Sequence, residues 1–397
     1  MLASFSSAIF RRLKMKFCPA ISSFALALLA LSGSAGFWVQ AQTADTQNVF
    51  HFNGPGKVCP QIVSLVEQRG GRVDWGANNL IAYDCTDDSN HFQTWVMNAD
   101  GSGAHCLSNQ NQQLAQLDNG NPAWHPSGNY IVVEASDMAP TPMATRAPDK
   151  FKRVTSPGVG FDNDLWLMSP NGTLASQLTH LAVRQGVLHP HFAHHSNLLL
   201  WSELESVGPQ KWVMKLAKFA VGDNGPELSD IQTLDPLGNA FYETHCFSPD
   251  DSSILFSTRK EPGDYRHMNI VRMNLATGHT EMLTDPALEQ WNEHAQVSPD
   301  GSRIVWISSM GIDQDLSKAN KGVVKTDYWM MSADGSNKHR LTYFNQPGAP
   351  EYRPTENIAS DLSWSPDGKS IVAYLQMRSP EDKIDDFPGS ILRISLP

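Results

Sequence analysis

A short turn phrase recurs along the 397-residue chain and constrains its fold more than any other feature. Its clearest copy is Ser-Pro-Asp-Gly at 298–301, followed by the apolar stretch 304–307. Proline presets a tight turn, glycine takes a backbone conformation that other residues resist, and the β-branched stretch has the composition of a strand. The phrase recurs in stricter or looser form after four residues: Trp124, Phe247, Val297 and Trp364. The chain therefore contains an internal repeat of turn-linked strands.

A second set of signals recurs within each unit. An apolar third strand runs into a turn rich in Asn, Asp and Gly, as at 98–102 and 332–336, and a Leu-Thr pair marks a fourth strand, as at 341–342. Six units follow one another at the spacing of roughly 40–50 residues that is typical of propeller blades. They begin near Arg72, Pro122, His189, Thr244, His294 and Asp361. The pattern predicts an all-β, six-bladed β-propeller of four-stranded antiparallel blades.

The sixth unit reaches only its third strand before the sequence ends at Pro397. We expect residues 48–53 to supply the missing outer strand, because this closes the ring and covers an exposed sheet edge. Residues 58–68 are expected to form a short connecting helix. A strand between Cys85 and Cys106 would separate them by about 9–10 Å, too far for a disulfide, so Cys59–Cys85 is the favoured pair.

The first 41 residues have the pattern of a signal peptide. Four basic residues precede the apolar run 21–31, and Val-Gln-Ala at 39–41 has the small-x-small pattern of a cleavage site. Met15 is an alternative start, since an export signal also follows it. We therefore expect a signal peptide over 1–41, a propeller over 42–397 without a transmembrane segment, and a periplasmic or secreted monomer.

Charge and loop lengths indicate the kind of partner. The formal net charge of −11 argues against nucleic acids and anionic membranes. Long segments expected on one face, 136–161, 308–326, 343–360 and 377–389, favour a surface that binds a periplasmic protein, a small molecule or an oligosaccharide. Neutral loop growth is the alternative. The motifs Gly-x-Ser-x-Gly and His-Glu-x-x-His are absent from the sequence, as is a phosphate-binding glycine loop.

Three consecutive units place histidine near the start of their first strands, beside the propeller axis. These histidines are His189, His191, His245 and His294, and the other units have Arg72, Asn121 and Asp361 at corresponding points. Glu243 and Glu293 lie next to two of the histidines. Imidazole and carboxylate together suit Mn, Fe, Ni or Zn, so the pattern predicts a divalent metal site. Polar side chains solvated in a hydrated channel remain the alternative.

The repeated Ser-Pro-Asp-Gly turns, the Asn-Ala-Asp-Gly-Ser turn at 98–102 and the Leu-Thr pairs resemble the TolB-like family of six-bladed propellers from the bacterial periplasm. The resemblance covers nearly all of the chain after residue 41. It implies a binding or scaffold module that engages a protein or small ligand.

A shorter resemblance concerns the histidines. His-Pro-His at 189–191 with Gln185 nearby, and His245 just before another Pro-Asp turn, are similar to the metal-binding segments of oligogalacturonate lyases. Those propellers hold a divalent metal with three His and a Gln and cleave uronates by β-elimination. The resemblance implies His189, His191, His245 and Gln185 as ligands. It also implies an alternative function, a metal-dependent lyase or hydrolase acting on an acidic carbohydrate. Such a reaction needs a base, for which Glu243 and Glu293 are candidates, and a charge-neutralising cation, for which Arg72, Arg184, Arg353 and Lys383 are candidates.

Overall fold

Short alternating and β-branched stretches form 25 strands in the part of the chain that the structure describes. The structure is a computed structural model that describes residues 49–50, 61–67, 69–109, 111–115, 117–136, 155–207, 210–317, 324–378 and 389–396. The first strands in chain order are β1 (Val49–Phe50), β2 (Ile62–Val66), β3 (Gly70–Trp75), β4 (Leu80–Thr86), β5 (Phe92–Asn98), β6 (His105–Cys106), β7 (Asn119–Trp124), β8 (Ile131–Ser136), β9 (Asn163–Met168), β10 (Ala175–Gln177), β11 (Val187–Phe192) and β12 (Leu198–Val207). The remaining strands are β13 (Gln210–Gly222), β14 (Gly225–Leu234), β15 (Phe241–Phe247), β16 (Ser253–Arg259), β17 (Asn269–Asn274), β18 (Thr280–Met282), β19 (Asn292–Val297), β20 (Arg303–Ser308), β21 (Asp327–Ser332), β22 (His339–Arg340), β23 (Glu356–Trp364), β24 (Ser370–Arg378) and β25 (Gly389–Ser395).

The strands assemble into six antiparallel sheets, which are the blades of a propeller. Blades 1 to 5 are β3–β6, β7–β10, β11–β14, β15–β18 and β19–β22, each in chain order. Blade 6 has the order β1-β2-β25-β24-β23. The prediction of a six-bladed, four-stranded propeller closed by a strand from the N-terminal side is therefore confirmed.

The closing strand is not the one that the sequence predicted. Residues 62–66, predicted as part of a helix, form β2 and pair with β25, whereas β1 pairs only with β2. The helix prediction over 58–68 is wrong because four of these five residues, Ile-Val-Ser-Leu-Val, are aliphatic and three are β-branched, which favours a strand. Ile62 and Val63 are buried against the rest of the blade.

The Pro-Asp-Gly turns form as predicted on one face of the ring, called here the turn face. Gly301 has a φ of 73° and its N–H donates to the carbonyl of Ser298 over 2.8 Å. The opposite face, where second strands end, is called the loop face. Segments 137–154, 318–323 and 379–388 of its expected long loops lie outside the described residues.

The hydrophobic core lies between neighbouring blades. Trp124 of blade 2, for example, packs in one cluster with Ala82 and Val96 of blade 1. Trp75, Trp124 and Trp364 occupy the same position in their repeat units and are all buried. Sheet-on-sheet packing of this kind gives the axis a rigid wall.

Two further expectations concern the thiols and the membrane. Cys85, Cys106 and Cys246 are free thiols, and Cys59, the expected partner of Cys85, lies outside the described residues, as does the expected signal peptide. Within the described part of the chain, no helix is long and apolar enough to span a bilayer.

Candidate metal centre at the propeller axis

Each innermost strand carries a β-bulge at the same height in the ring. The register shifts between Gly70 and Val73, Gly120 and Ala123, Leu188 and His191, Thr244 and Cys246, Glu293 and Gln296, and Ala359 and Leu362. Bulges re-aim side chains and are frequent beside active sites. Here they place the predicted axial residues, which were identified only by their position in the repeat, around one point.

Three of the bulges contain a residue in the left-handed conformation that is not glycine. The φ angles are 49° for Asn121, 47° for His189 and 53° for His294. Asn and His adopt this conformation more readily than most residues, but it still costs free energy. Backbone strain of this kind, held by the surrounding structure, is typical of functional sites.

Buried carboxylates hold two of these bulges. Glu134 Oε1 accepts hydrogen bonds from the His189 backbone N–H over 2.9 Å and from Asn121 Nδ2 over 2.6 Å. Asp84 Oδ2 accepts one from the Asn121 backbone N–H over 2.9 Å. Burial raises the pKa of Glu134 to about 7 and that of Asp84 to about 6, although donors oppose both shifts. Blade 2 is thus fixed to blade 1, and blade 3 to blade 2, at the height of the bulges.

The centre of the site contains two imidazoles and two carboxylates. His189 Nε2 lies 3.5 Å from Glu243 Oε1, and His189 Nδ1 lies 3.5 Å from Asp361 Oδ1. His294 Nδ1 lies 3.7 Å from Glu243 Oε1 and 3.6 Å from Asp361 Oδ1. These separations exceed hydrogen-bond distances, so the four side chains surround a point without bonding directly to one another.

Glu243 carries a buried carboxylate oxygen that lacks a hydrogen bond. This atom, Oε1, has no hydrogen-bond partner among the described residues. Burial, together with the nearby charges of Glu293 and Asp361, raises the pKa of Glu243 well above its ordinary value. A buried carboxylate oxygen without a donor is costly, and a bound cation is one way to remove that cost.

Burial and neighbouring charges move the pKa values of Asp361, His189 and His191 below their ordinary values. Burial alone would raise the pKa of Asp361, but His294, His189 and Arg72 hold it at about 2. Burial lowers the pKa of His189 to about 3 and that of His191 to about 4. Neutral imidazole and ionised carboxylate are the protonation states in which both groups coordinate a metal.

His245 is oriented by its neighbours. Its Nε2 lies 2.6 Å from Ser257 Oγ, and that hydroxyl donates its proton to the Asn292 carbonyl over 3.0 Å. Ser257 must therefore accept from His245, which places the imidazole proton on Nε2 and leaves the Nδ1 lone pair free. Burial lowers the pKa of His245 well below its ordinary value.

Two overlapping sets of donor atoms are spaced closely enough to hold a metal ion. The first consists of His189, His294 and Asp361, and the second of Glu243, His245 and His294; within each set the donor atoms lie within 4.8 Å of one another. His294 belongs to both. Asp361 was placed at the axis by its repeat position but was not predicted as a ligand, because aspartate is too common in turns and strand ends to be distinctive.

The remaining predicted site residues occupy different places. His191 lines the axial cavity but belongs to neither set. Glu293 Oε2 accepts from Trp291 Nε1 over 2.5 Å and lies 3.9 Å from His294 Nε2. Arg72 is paired with Asp84 Oδ2 at 3.6 Å. Gln185 does not join the group, since its amide accepts from the Ala182 N–H and donates to the Glu205 carbonyl.

The cavity among these side chains is small and is connected to the turn face. Its volume of about 20 Å³ is enough for one water molecule or ion. Asp74, His191 and Gln296 line both this cavity and a wider funnel of about 340 Å³ on the turn face. The funnel includes Trp75, Trp124 and Trp364 in its wall. An ion therefore has a route to the axis from that side.

Comparison with known proteins supports the propeller fold but does not identify the chemistry of the axial site. No family model and no curated protein sequence matches the chain. Among solved structures, TolB from Acinetobacter baumannii has a TM-score of 0.51 and 14% identity, over 80% of this chain and 64% of that chain. An oligogalacturonate lyase from Vibrio parahaemolyticus has a TM-score of 0.48 and 11% identity, over 89% of this chain and 97% of that chain. An oligogalacturonate lyase in complex with manganese has a TM-score of 0.44 and 12% identity, over 85% of this chain and 93% of that chain.

At 14% identity the likeness to TolB shows a shared fold, and this chain spans less than two thirds of that protein. Fold alone does not determine function. The fold and the axial cluster define a six-bladed, TolB-like β-propeller with a His and carboxylate group that could hold a metal. The chemistry of the site has to be judged from its own residues.

Proposed function

We propose that this protein is an exported β-propeller that binds one first-row divalent metal ion at its axis and engages a ligand or protein partner on its loop face. The observation that carries the metal proposal is the buried, unpartnered Oε1 of Glu243, which faces imidazole nitrogens of His189 and His294 at 3.5 and 3.7 Å.

The spacing of the donor atoms supports a metal ion over a network of direct hydrogen bonds. Ligands 2.1 Å from a tetrahedral ion lie about 3.4 Å apart. An octahedral ion with bonds of 2.0–2.1 Å, as for Mg²⁺, brings neighbouring ligands to about 2.9 Å. Within the two donor sets, His189 Nδ1–Asp361 Oδ1 at 3.5 Å, His294 Nδ1–Asp361 Oδ1 at 3.6 Å and His294 Nδ1–Glu243 Oε1 at 3.7 Å are closer to the first value. Imidazole with carboxylate suits Zn, Mn, Fe or Ni more than Mg or Ca.

The negative charges of the axial carboxylates also support a bound divalent ion. Glu243, Glu293 and Asp361 approach one another closely enough that their charges raise the pKa of Glu243. A divalent cation would allow these carboxylates to be ionised together, because opposite charge nearby favours the ionised form. The hydrated-channel alternative instead requires Glu243 to hold a proton, with one water in the cavity.

The lyase or hydrolase alternative keeps Glu243 or Glu293 as base. A sugar ring would have to reach the ion from the funnel on the turn face, because the axial cavity of about 20 Å³ holds no more than one ion or water molecule. Arg72, the predicted cation, is already paired with Asp84. The proposal of export is based on the sequence of residues 1–41. The proposal of a partner on the loop face is based on the lengths of the loops there.

Titration calorimetry on metal-stripped protein tests the proposal with Zn²⁺, Mn²⁺, Ni²⁺ and Fe²⁺. The variant is His294→Asn, which removes a ligand from both donor sets and keeps a residue that tolerates positive φ. Asn121 already occupies the corresponding position of blade 2, so asparagine fits this bulge. We expect one ion per chain in the unsubstituted protein and a loss of affinity of about tenfold or more in the variant.

His339→Asn is the matched control. His339 lies on β22 at the outer edge of blade 5 and is exposed, and its Nδ1 contacts only the Asn337 carbonyl. Its substitution should leave the affinity unchanged. If none of the four ions binds the unsubstituted protein, or if both variants bind equally well, the axial assignment is wrong.

A further inference from the structure

Arg259 is a buried cation held between two aromatic rings. It ends the second strand of blade 4, on the loop face, and only 8% of its surface is exposed. The guanidinium carbon lies 4.2 Å from the centre of the Phe241 ring and 4.7 Å from that of Tyr265. Tyr265 stacks in turn on Trp291, with ring centres 5.6 Å apart and planes 7° from parallel. The guanidinium is therefore fixed in one orientation.

Other arginines that stack on aromatic rings in the described residues have polar partners. Arg72 lies over Phe92 and pairs with Asp84; Arg340 lies over Tyr343 and bonds to Asp327. Arg303 lies over Trp364 and donates to the Gly368 carbonyl over 3.0 Å. Arg259 differs from all three in lacking a polar partner.

The Arg259 side chain has neither a hydrogen bond nor a carboxylate within 4.0 Å among the described residues, and Glu293, Glu243 and Asp264 act on its charge only from further away. Its Nε is buried and unpartnered, while its two terminal nitrogens keep some contact with solvent. Cation–π contacts compensate only part of the cost of removing a charge from water. A planar guanidinium with free donors is suited to bind a carboxylate, phosphate or sulfate through two parallel hydrogen bonds.

We propose that Arg259 is an anion-binding residue on the loop face, which receives the oxyanion group of a small-molecule ligand. Stacking by Phe241 and Tyr265 orients the guanidinium before the ligand arrives, which lowers the entropy cost of binding. The ligand supplies the directly bonded acceptors that the guanidinium lacks among the described residues.

The anion subsite lies close to the axial donors. Arg259 on β16 pairs with Phe241 on the neighbouring strand β15. Glu243 follows Phe241 by two residues on β15, which places it roughly 7 Å from Phe241 at the rise of a β-strand. The anion subsite therefore lies on the loop-face side of the axial donors, whose cavity connects with the turn face. This relation deepens the proposed function, but the anion subsite itself does not require a metal.

Calorimetry with acetate, inorganic phosphate and sulfate tests the proposal on the full propeller. Arg259→Gln should weaken binding of the preferred anion about tenfold or more, because a charge-assisted contact is lost. Arg259→Lys should also bind more weakly, since an ammonium lacks the planar pair of donors. Arg303→Gln, which removes a stacked but partnered arginine from the turn face, should bind as the unsubstituted protein does. The three anions distinguish a carboxylate ligand from a phosphate or sulfate ligand.

Thermal unfolding separates this role from a structural one. If Arg259 binds an anion and does not stabilise the fold, Arg259→Gln should unfold at the same temperature or higher, because it removes a buried charge that has no directly bonded partner. Arg259 belongs to neither axial donor set, so Arg259→Gln should still bind one metal ion per chain, and failure of the metal proposal and failure of this one are distinguishable. The proposal is wrong if none of the three anions binds, or if Arg259→Gln binds as well as the unsubstituted protein.

Discussion

The imidazole of His189 lies between two carboxylates from different blades, with Nε2 3.5 Å from Glu243 Oε1 and Nδ1 3.5 Å from Asp361 Oδ1. Its backbone N–H is held by Glu134 of a third element, the second strand of blade 2. A residue in a left-handed conformation is thereby fixed from three sides. These contacts hold the His189 imidazole in a defined position between the two carboxylates.

The first prediction concerns the conformation of His189. His189→Asn should cost little stability, because asparagine tolerates positive φ. His189→Val should cost about 2 kcal/mol more, since a β-branched residue is strained there. Urea unfolding of the two variants measures the difference. Equal stabilities would show that the bulge relaxes and that its conformation is not imposed by the neighbouring blades.

The second prediction concerns Asp251, which stands where glycine is found in other turns. Its carboxylate accepts from the backbone N–H groups of His194, His195 and Ser196 in blade 3, over 2.7–2.8 Å. Ser196 Oγ donates to the same carboxylate over 2.9 Å. We expect Asp251→Ala to lower the free energy of unfolding by about 2 kcal/mol, because four donors lose a charged acceptor.

Asp251→Gly is the matched control, because it relieves the positive φ of 58° while also removing the acceptor. It should be more stable than Asp251→Ala and less stable than the unsubstituted protein in denaturant unfolding. If the glycine variant is the most stable of the three, the contact with blade 3 contributes nothing.

The third prediction is a pH dependence at the Pro-Asp-Gly turn of blade 5. Asp300 accepts from Ser298 Oγ, Ser302 N–H and Ser302 Oγ, and these bonds lower its pKa to about 2. Because the folded pKa lies below the unfolded one, its contribution is present above about pH 4 and is lost as the pH falls through about 2.

Asp300→Ala should therefore reduce stability by roughly 1 kcal/mol at pH 7 and by less as the pH approaches 2. Unfolding of both proteins across this range gives the measurement. A difference that is constant down to pH 2 would contradict the role of the carboxylate charge.

The fourth prediction concerns ring closure. A chain beginning at residue 69 lacks β2 and exposes the edge of β25, whose residues Arg393 and Ile394 then lose their partners on β2. We expect association or aggregation, measured by light scattering after size exclusion, because open edges pair with other chains. A chain beginning at residue 47 keeps both N-terminal strands and should be monodisperse. Monodisperse behaviour of both would show that β2 is dispensable for closure.

The sequence was sufficient for the fold because its turns are repeated and each turn type has a narrow residue requirement. The exception, β2, has one copy and an aliphatic pattern short enough to fit helix or strand. The repeat position also located His189, His245 and His294 near the axis. It could not show that Asp361 completes a donor set or that Gln185 is used elsewhere, because both depend on the bulges.

Arg259 was not identified from the sequence for a related reason. Its character comes from two rings, Phe241 and Tyr265, that approach from different strands and loops, and from the lack of a polar partner among the described residues. Neither feature can be recognised from the residues next to Arg259 in the sequence. Sequence position alone therefore favoured Arg72, whose charge is paired in the fold.

Elemental analysis of the purified protein tests the central claim most directly. The protein would be produced with Mn, Fe, Ni and Zn supplied, alongside His294→Asn and Glu243→Gln, which keeps the size of the side chain and removes its charge. The account predicts one ion per chain in the unsubstituted protein, none in His294→Asn, and a reduced content in Glu243→Gln. Metal-free protein after supplementation, or equal metal in all three, would contradict it.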